Sequence, residues 1–392
     1  MPRKCLALAA KLWNGRTGRR MTDRPPIIVM GYSARALASS ASHAGFAPLS
    51  IDVFGDDDTR GMSLASMKLE GGLSEGLAPD KVTRAVQKLA GAHDPIGLVY
   101  GAGFEHQPET IAAIANRTRV FGNGADILKR AKDPHVLARV CEANGVRHPA
   151  IAFEPPDKPE LWLMKRRGGA GGAHITTAEG ASCASPHSYF QRRVGGKSIS
   201  ALFLASEKKV EIIGLSMQWT VPTPVSPFRY GGAAGPVDVD PAQGEEIAHS
   251  VAVIASGLDL VGLNSADFLV STDAVWLVEI NPRPGATLDV FESNGTTLFA
   301  RHIAACEGQL THASASFAFK AAEIVYAPCD IVAPEERSWP DWAVDRSPAG
   351  TRIAAGDPLC TTLGSGATVD LARACASERA RKIIALVQEA DH

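Results

Sequence analysis

Two carboxylates and one carboxamide, Asp267, Glu279 and Asn281, occur at spacings that could bring their oxygens together. The segments 265–270 and 275–280 are rich in β-branched and bulky apolar residues and are separated by a short polar stretch, which predicts two strands joined by a turn. Strand side chains alternate in direction, so Glu279 and Asn281 face the same side, and antiparallel pairing could add Asp267. Such an oxygen set suits Mg²⁺, with Mn²⁺ as the alternative ion. An ordinary hairpin with a polar end is the other interpretation.

A basic strand end followed by glycines is the second chemical feature. The apolar run 161–164 leads into Lys165, and a short loop then carries four glycines, Gly168, Gly169, Gly171 and Gly172. Glycines allow backbone N–H groups to approach an anion closely, and lysine adds a positive charge, so this pattern suits a polyphosphate. The loop fits two descriptions, a lid over the phosphates and a disordered linker. His174, just beyond it, is expected to be exposed, with a phosphate contact as the alternative.

The surrounding segments predict an α/β protein. The basic stretch 1–24 is expected to be disordered, and 25–125 alternates apolar strands with helices in the manner of a small doubly wound domain. A helix is predicted over 131–144, ending at Gly145. Lys132 near its start is a candidate phosphate contact or an exposed lysine. The stretch 218–235 is predicted to be a loop because it is rich in proline and glycine.

Composition excludes several classes of protein. The chain has 392 residues, 45% hydrophobic and 21% charged, which is normal for a globular protein long enough for two or three domains. The formal net charge of −2 predicts no nucleic-acid partner, and no apolar run approaches the ~18 residues of a membrane helix. The seven cysteines form no C-x-x-C pair, which predicts reduced thiols and a cytoplasmic location.

The run EINPRPGAT at 279–287, with Asp267 upstream, resembles the metal-binding signature of the ATP-grasp ligases. The resemblance implies an ATP-grasp fold, α/β overall and α+β in its central part, with ATP and Mg²⁺ as cofactors. It implies that Asp267, Glu279 and Asn281 hold the magnesium ions of ATP. It also implies that Arg283 contacts phosphate or the reaction intermediate.

The same resemblance extends to the nucleotide site. Lys165 matches the strand lysine that precedes the phosphate loop, and this implies a catalytic as well as an ATP-binding role. Lys132 takes the place of the lysine that reaches the nucleotide phosphates, although Ala131 replaces the usual aspartate before it. Gln191 stands where the family has a hinge acid, and the resemblance implies that Arg192 and Val194 lie against adenine through main-chain atoms.

The resemblance also implies a domain organisation. After the N-terminal stretch 1–24, a pre-ATP-grasp α/β domain covers 25–125, and a two-part ATP-grasp domain that clasps ATP covers 126–310. A small β-rich region, 311–392, completes the chain. Whether Met1 or Met21 is the native start remains open at this point.

The function implied is an ATP-dependent ligase that joins a carboxylate to an amine through an acyl phosphate. The version of the signature is most similar to a branch that includes tyramine–glutamate ligase of methanofuran synthesis and the pyrrolysine-pathway ligase, which suggests glutamate with tyrosine or tyramine. Two alternatives stay open: a non-catalytic ATP-binding sensor or scaffold, and a small-molecule kinase on the same fold. The partners expected are small molecules, without nucleic acid or membrane, and the resemblance leaves a homodimer open.

Overall fold

The computed structural model describes residues 20–70, 77–180, 187–207, 209–293, 297–310, 318–335 and 339–389. Predictions for the first 19 residues and for the last three lie outside this part of the chain.

The strands are β1 Pro26–Met30, β2 Ala47–Asp52, β3 Ala65–Lys68, β4 Leu98–Tyr100, β5 Ile151–Ala152, β6 Trp162–Arg166, β7 Ile175–Thr177, β8 Ser188–Arg192, β9 Lys197–Ser206, β10 Lys209–Thr220, β11 Tyr230–Gly235, β12 Gly262–Val270, β13 Val275–Asn281, β14 Phe319–Tyr326, β15 Ile331–Val332, β16 Ala343–Val344, β17 Arg352–Ile353 and β18 Pro358–Gly366. The α-helices are α1 Arg35–His43, α2 Asp57–Gly61, α3 Pro79–His93, α4 Pro108–Ala115, α5 Ala125–Ala131, α6 Pro134–Ala143, α7 Pro241–Leu258, α8 Leu288–Phe291, α9 Leu298–Cys306 and α10 Val369–Glu389.

The N-terminal strands form a parallel sheet in the order β3-β2-β1-β4. The inner strand β1 is apolar on both faces, as expected for a parallel strand covered by helices. Ile27 and Val29 pack on the side of α1, whereas Ile28 and Met30 pack with apolar residues of α3 and α4. This is the doubly wound arrangement that the sequence predicts.

Two further sheets hold the central part of the chain. A small antiparallel sheet has the order β5-β8-β6-β7, and an eight-stranded sheet has the order β13-β12-β9-β10-β11-β14-β18-β16. One face of the large sheet is apolar and packs against α7, for example through Phe203 and Phe268 with Ile254. The opposite face of β12 and β13 is therefore free to carry polar side chains toward the small sheet.

The predicted helix over 131–144 is wrong at its start. The chain forms two helices, α5 and α6, with Lys132 in the joint between them. Asp133 caps α6 by accepting hydrogen bonds from the backbone N–H groups of His135 and Val136, and Pro134 occupies the first turn. The cap begins a new helix after Lys132, so the lysine extends from a bend rather than from a helix surface.

One other expectation needs correction. The stretch 218–235 is not one loop, because β10 continues to Thr220 and β11 begins at Tyr230, and the two strands pair with each other. After residue 310, the strands β14, β18 and β16 extend the large sheet beyond β11. The proposed domain boundaries themselves remain predictions.

No helix in the described ranges is both long and apolar enough to span a membrane. The five cysteines within these ranges form no disulfide.

Candidate active site

The pairing of β12 with β13 places the candidate metal ligands on one face. Asp267 lies directly opposite Glu279, and Ser265 lies opposite Asn281. The amide of Asn281 donates to Asp267 at 2.8 Å, and Ser200 of the neighbouring strand donates to the other carboxylate oxygen at 2.7 Å. Residue alternation thus brings two carboxylates and an amide together, with Ile280 between them buried on the opposite side.

Lys132 contacts this oxygen cluster directly. Its ammonium donates to Glu279 Oε1 at 2.5 Å and to Asn281 Oδ1 at 3.0 Å. The lysine side chain is nearly buried, so the pair is shielded from water and screened less than a surface pair. Two oxygens of the candidate ligand set therefore already hold a positive group, which shows that their arrangement suits a cation.

Burial and charge determine the protonation of the two carboxyls. Burial raises the pKa of Glu279, but Lys132 and Lys165 outweigh it and bring that pKa down to about 2. Burial and the neighbouring Glu279 raise the pKa of Asp267 above its ordinary value. Glu279 is therefore the firmly ionised member of the pair, as a metal ligand needs to be.

A cleft runs from this cluster along the joint between α5 and α6. Its charged lining consists of Lys132, Asp133, Arg166, Arg167 and Glu279. Its apolar lining consists of Ala131, Pro134, Leu137, Val278 and Ile280. The lining thus offers cationic groups suited to phosphates and apolar groups suited to a base.

Lys165 is buried beside the cleft, with only 4% of its surface exposed. Burial lowers the pKa of its ammonium, and the carboxylates of Glu279 and Asp267 oppose that shift. A buried cation at the end of β6 has little solvent to compete with a phosphate.

His174 is not an exposed loop histidine. Its ring packs over Gly169, where a side chain on the glycine would collide with it, and its buried Nδ1 has no hydrogen-bond partner among the described residues. Burial lowers the pKa of the imidazole to about 4. The neutral ring lies in the lining of the cleft.

The glycine-rich loop is folded against two other segments. Gly168 approaches the backbone of Glu105, and a Cβ at Gly168 would lie 2.5 Å from that carbonyl oxygen. Gly172 approaches the carbonyl of Phe228, and Tyr230 N–H donates to Gly171 O at 2.9 Å. Three of the four glycines, all except Gly169, have positive φ, which other residues rarely adopt. The conformation of the loop therefore requires glycine at these positions.

Arg283 connects the cluster to the N-terminal sheet. Its Nε donates to Glu105 Oε1 at 2.8 Å, and one Nη group lies 3.4 Å from Asn281 Oδ1. Burial raises the pKa of Glu105, but Arg283 and Lys132 outweigh it and bring the pKa below the ordinary value. Glu105 was not among the predicted site residues, and its only sequence signal is the glycine-rich turn after β4.

The candidate adenine contacts lie outside the cleft lining just described. Gln191 is buried in β8, and its amide donates to Val278 O at 3.4 Å. The N–H of Arg192 donates to Ala150 O at 2.8 Å, which commits that amide to the small sheet. Val194 follows in the segment that leads to β9. Tyr189, which the sequence prediction missed, does line the cleft.

Residues 131–287 match the family model of an ATP-grasp domain. No curated protein sequence is significantly similar to the chain. The matched range contains every predicted site residue, from Lys132 to Arg283.

Three solved structures illustrate the structural similarity. The biotin carboxylase domain of 2-oxoglutarate carboxylase from Hydrogenobacter thermophilus superposes with a TM-score of 0.69 at 13% identity, over 93% of this chain and 90% of that one. N5-carboxyaminoimidazole synthetase from Staphylococcus aureus gives 0.63 at 12% identity, over 93% and 97%. The L-amino acid ligase from Bacillus licheniformis gives 0.64 at 13% identity, over 91% and 97%. This chain therefore has the ATP-grasp fold, as its sequence predicts.

Proposed function

We propose that the protein is an ATP-dependent ligase that joins a carboxylate to an amine through an acyl phosphate, releasing ADP and phosphate. The observation that carries the proposal is the meeting of Asp267, Glu279 and Asn281 with Lys132, beside a cleft that Lys132 and Glu279 line. The structural neighbours include an L-amino acid ligase and a carboxylase domain solved with MgADP, which supports the same class of reaction.

The residues present fit a magnesium ion. The donors are carboxylate and amide oxygens, which Mg²⁺ prefers, and they already bind the Lys132 ammonium. Within the described residues no group of three His, Cys, Asp or Glu side chains is arranged for a metal, so the set relies on the amide oxygen of Asn281. When bound, the ion would neutralise charge on the transferred phosphoryl group.

The remaining groups position and neutralise the nucleotide. Lys165 and Arg283 supply buried positive charge, and the loop 168–172 covers the cleft. Phosphoryl transfer depends mainly on such positioning and electrostatics, and less on a protein base. The ligase proposal therefore needs no nucleophilic side chain.

Glutamate with tyrosine or tyramine is the first substrate pair to test, because the EINPRPGAT run is most similar to that branch of ligases. The purified protein is incubated with ATP, Mg²⁺ and both substrates, and ADP and the amide product are measured. ADP formation that requires both substrates supports the ligase. ADP with a phosphorylated product and no amide indicates a kinase, and nucleotide binding without turnover indicates a sensor.

Hydroxylamine distinguishes the chemical route. If the carboxylate is activated as an acyl phosphate, hydroxylamine should trap it as a hydroxamate when the amine is withheld. AMP and pyrophosphate as products would refute the acyl-phosphate route. The same assay with other amino acids identifies the carboxylate if glutamate is inert.

Bicarbonate is a second candidate for the carboxylate. The carboxylase domain among the structural neighbours was solved with bicarbonate. A second neighbour is named as the synthetase of a carboxyamino compound, N5-carboxyaminoimidazole. Incorporation of labelled bicarbonate into an amine, in the presence of ATP, would favour this candidate. A homodimer and a cytoplasmic location complete the proposal; a dimer is supported by the dimeric neighbour.

A further inference from the structure

Glu105 contacts three parts of the candidate active site, although it is remote from them in sequence. One carboxylate oxygen accepts the N–H of Gly103 at 2.7 Å, and the other accepts Nε–H of Arg283 at 2.8 Å. The carbonyl oxygen of Glu105 lies against Gly168 of the glycine-rich loop. The turn after β4, the arginine after β13 and the loop after β6 thus meet at one residue.

The Glu105–Arg283 ion pair fixes the orientation of the Arg283 guanidinium. The side chains are 1% and 9% exposed, so water does not compete for the ion pair. Nε is committed to Glu105, and an Nη group reaches toward Asn281 beside the oxygen cluster. A guanidinium is planar, so fixing Nε orients the whole fork.

The negative charge of Glu105 also balances nearby positive charges. Arg283 shares this interior with Lys132 and Lys165, and all three would repel one another without nearby carboxylates. Glu105 provides a negative charge 2.8 Å from Arg283 Nε. This pairing allows Arg283 to remain buried beside Asn281.

We propose that Glu105 is a positioning residue, which holds the Arg283 guanidinium toward the terminal phosphate of the bound nucleotide. This inference rests on the proposed function, and it adds a residue of the N-terminal sheet to the phosphate-binding machinery. Glu105 does not itself contact the nucleotide in this account.

The test compares two nucleotides and needs no identified acceptor. The affinities for MgADP and for the magnesium complex of the imido analogue of ATP are measured by calorimetry. The proteins are the wild type, Glu105→Gln, Arg283→Lys and the double variant. Glu109→Gln is the matched control, because this exposed glutamate lies four residues further on, in α4.

The analogue-over-ADP preference should fall about tenfold in Glu105→Gln, the effect of losing one charge-assisted hydrogen bond. Affinity for MgADP should change less than about threefold, because ADP lacks the phosphate that Arg283 would contact. The double variant should lose no more preference than Arg283→Lys alone, since both changes remove the same contact. Glu109→Gln should match the wild type.

Several results would overturn the inference. One is an unchanged preference in Glu105→Gln, and another is an additive loss in the double variant. A wild type that binds both nucleotides equally would also overturn it, while leaving nucleotide binding intact. A wild type that binds neither would refute the proposed function and the inference together.

A purely structural ion pair would give a different pattern, with a lower melting temperature and an unchanged preference. If Glu105→Gln does not fold, Glu105→Asp decides the matter, because it keeps the charge and shortens the side chain. The preference should then fall about threefold with MgADP affinity retained. An unchanged preference in a folded Glu105→Asp protein would overturn the positioning role.

Discussion

At the scale of single residues, the main feature of the site is that Lys132 binds the oxygens that the metal would use. Its ammonium donates hydrogen bonds to Glu279 and Asn281. A lysine and a divalent ion cannot use the same oxygens together at close range. Metal binding should therefore require Lys132 to turn away, and the nucleotide phosphates are the natural acceptor for its charge.

Replacing Lys132 by methionine should separate these two roles. Affinity for Mn²⁺ alone should rise, by about tenfold, because the competing ammonium is gone and Glu279 keeps its charge. Affinity for the nucleotide should fall because a phosphate contact is lost. Electron paramagnetic resonance titration of Mn²⁺ and calorimetry with ADP measure the two effects. Lys129→Met, at an exposed position of α5, is the control, and parallel changes in both affinities would contradict this account.

Removing ligand oxygens should weaken the metal complex without unfolding the protein. Glu279→Gln and Asn281→Ala should each lower the affinity for Mn²⁺ in the presence of ADP by about tenfold or more and abolish turnover, because the metal contribution is worth several kcal/mol. Asp273→Asn, in the turn of the same hairpin, should leave both unchanged. Near-normal activity of purified Glu279→Gln would exclude Glu279 from the site.

At the scale of elements, the glycine-rich loop is held by its contacts with the segments 105–106 and 228–230. Gly171 and Gly172 both have positive φ, but only Gly172 faces a neighbour, the carbonyl of Phe228. A side chain at either position is strained, and at Gly172 it would also collide. Substitutions at these two glycines therefore distinguish the effect of losing the contact between the loop and Phe228 from the effect of backbone strain alone.

Gly172→Ala should detach the loop, whereas Gly171→Ala should only strain it. Hydrogen exchange of residues 168–174 should be slowed by MgADP in the wild type and in Gly171→Ala, since a lid is ordered by the nucleotide. In Gly172→Ala the protection should be largely lost and ADP affinity reduced. Equal exchange with and without nucleotide in the wild type would remove the lid function.

At the scale of the whole molecule, a buried acidic cluster joins the N-terminal sheet to the C-terminal strands. Arg35 binds both Asp289 and Asp345, and Asp58 accepts the N–H groups of Asp345 and Arg346. Asp56 is 1% exposed beside them. Burial, followed by the charges of Asp345 and Asp52, raises the pKa of Asp56 to about 9. The acidic stretch 56–58 is thus partly an interior contact.

This cluster should make the protein less stable as the pH rises from 7 to 9. In that range folded Asp56 keeps its proton, whereas in the unfolded chain the same carboxyl has lost it. The folded state therefore binds more protons, and the free energy of unfolding falls by up to about 1.4 kcal/mol per pH unit.

The histidines whose folded pKa is lowered by burial affect this window only near pH 7, where they act in the opposite direction because the unfolded chain binds more protons. His148, His174 and His302 are lowered to about 4, and they titrate near 6.5 when unfolded. Urea unfolding at pH 7, 8 and 9 measures the slope, which Asp56→Asn should make smaller and Asp57→Asn should not. A part of the slope near pH 9 should remain, because burial also raises the pKa of the Cys141, Cys306 and Cys360 thiols. An unchanged slope in Asp56→Asn would assign the pH dependence to other groups.

The local pattern of the sequence determined the chemistry of the hairpin and the glycine-rich loop. Strand alternation is a property of neighbouring residues, so Glu279 and Asn281 must share a face wherever β13 lies. The left-handed turns of the loop likewise depend on glycine alone. These features are readable without a structure because they depend on neighbouring residues, whereas the fold was predicted from the resemblance of the EINPRPGAT run to a known family.

Only the tertiary structure decided which distant groups complete the site. Glu105 meets Arg283 across 178 residues, and Lys132 reaches Glu279 across 147. His174 is buried because its loop folds back. β14 joins the large sheet because β11 offers it an edge, and β18 pairs in turn with β14. Such pairings depend on how whole elements pack, and no short-range periodicity encodes the distance between them.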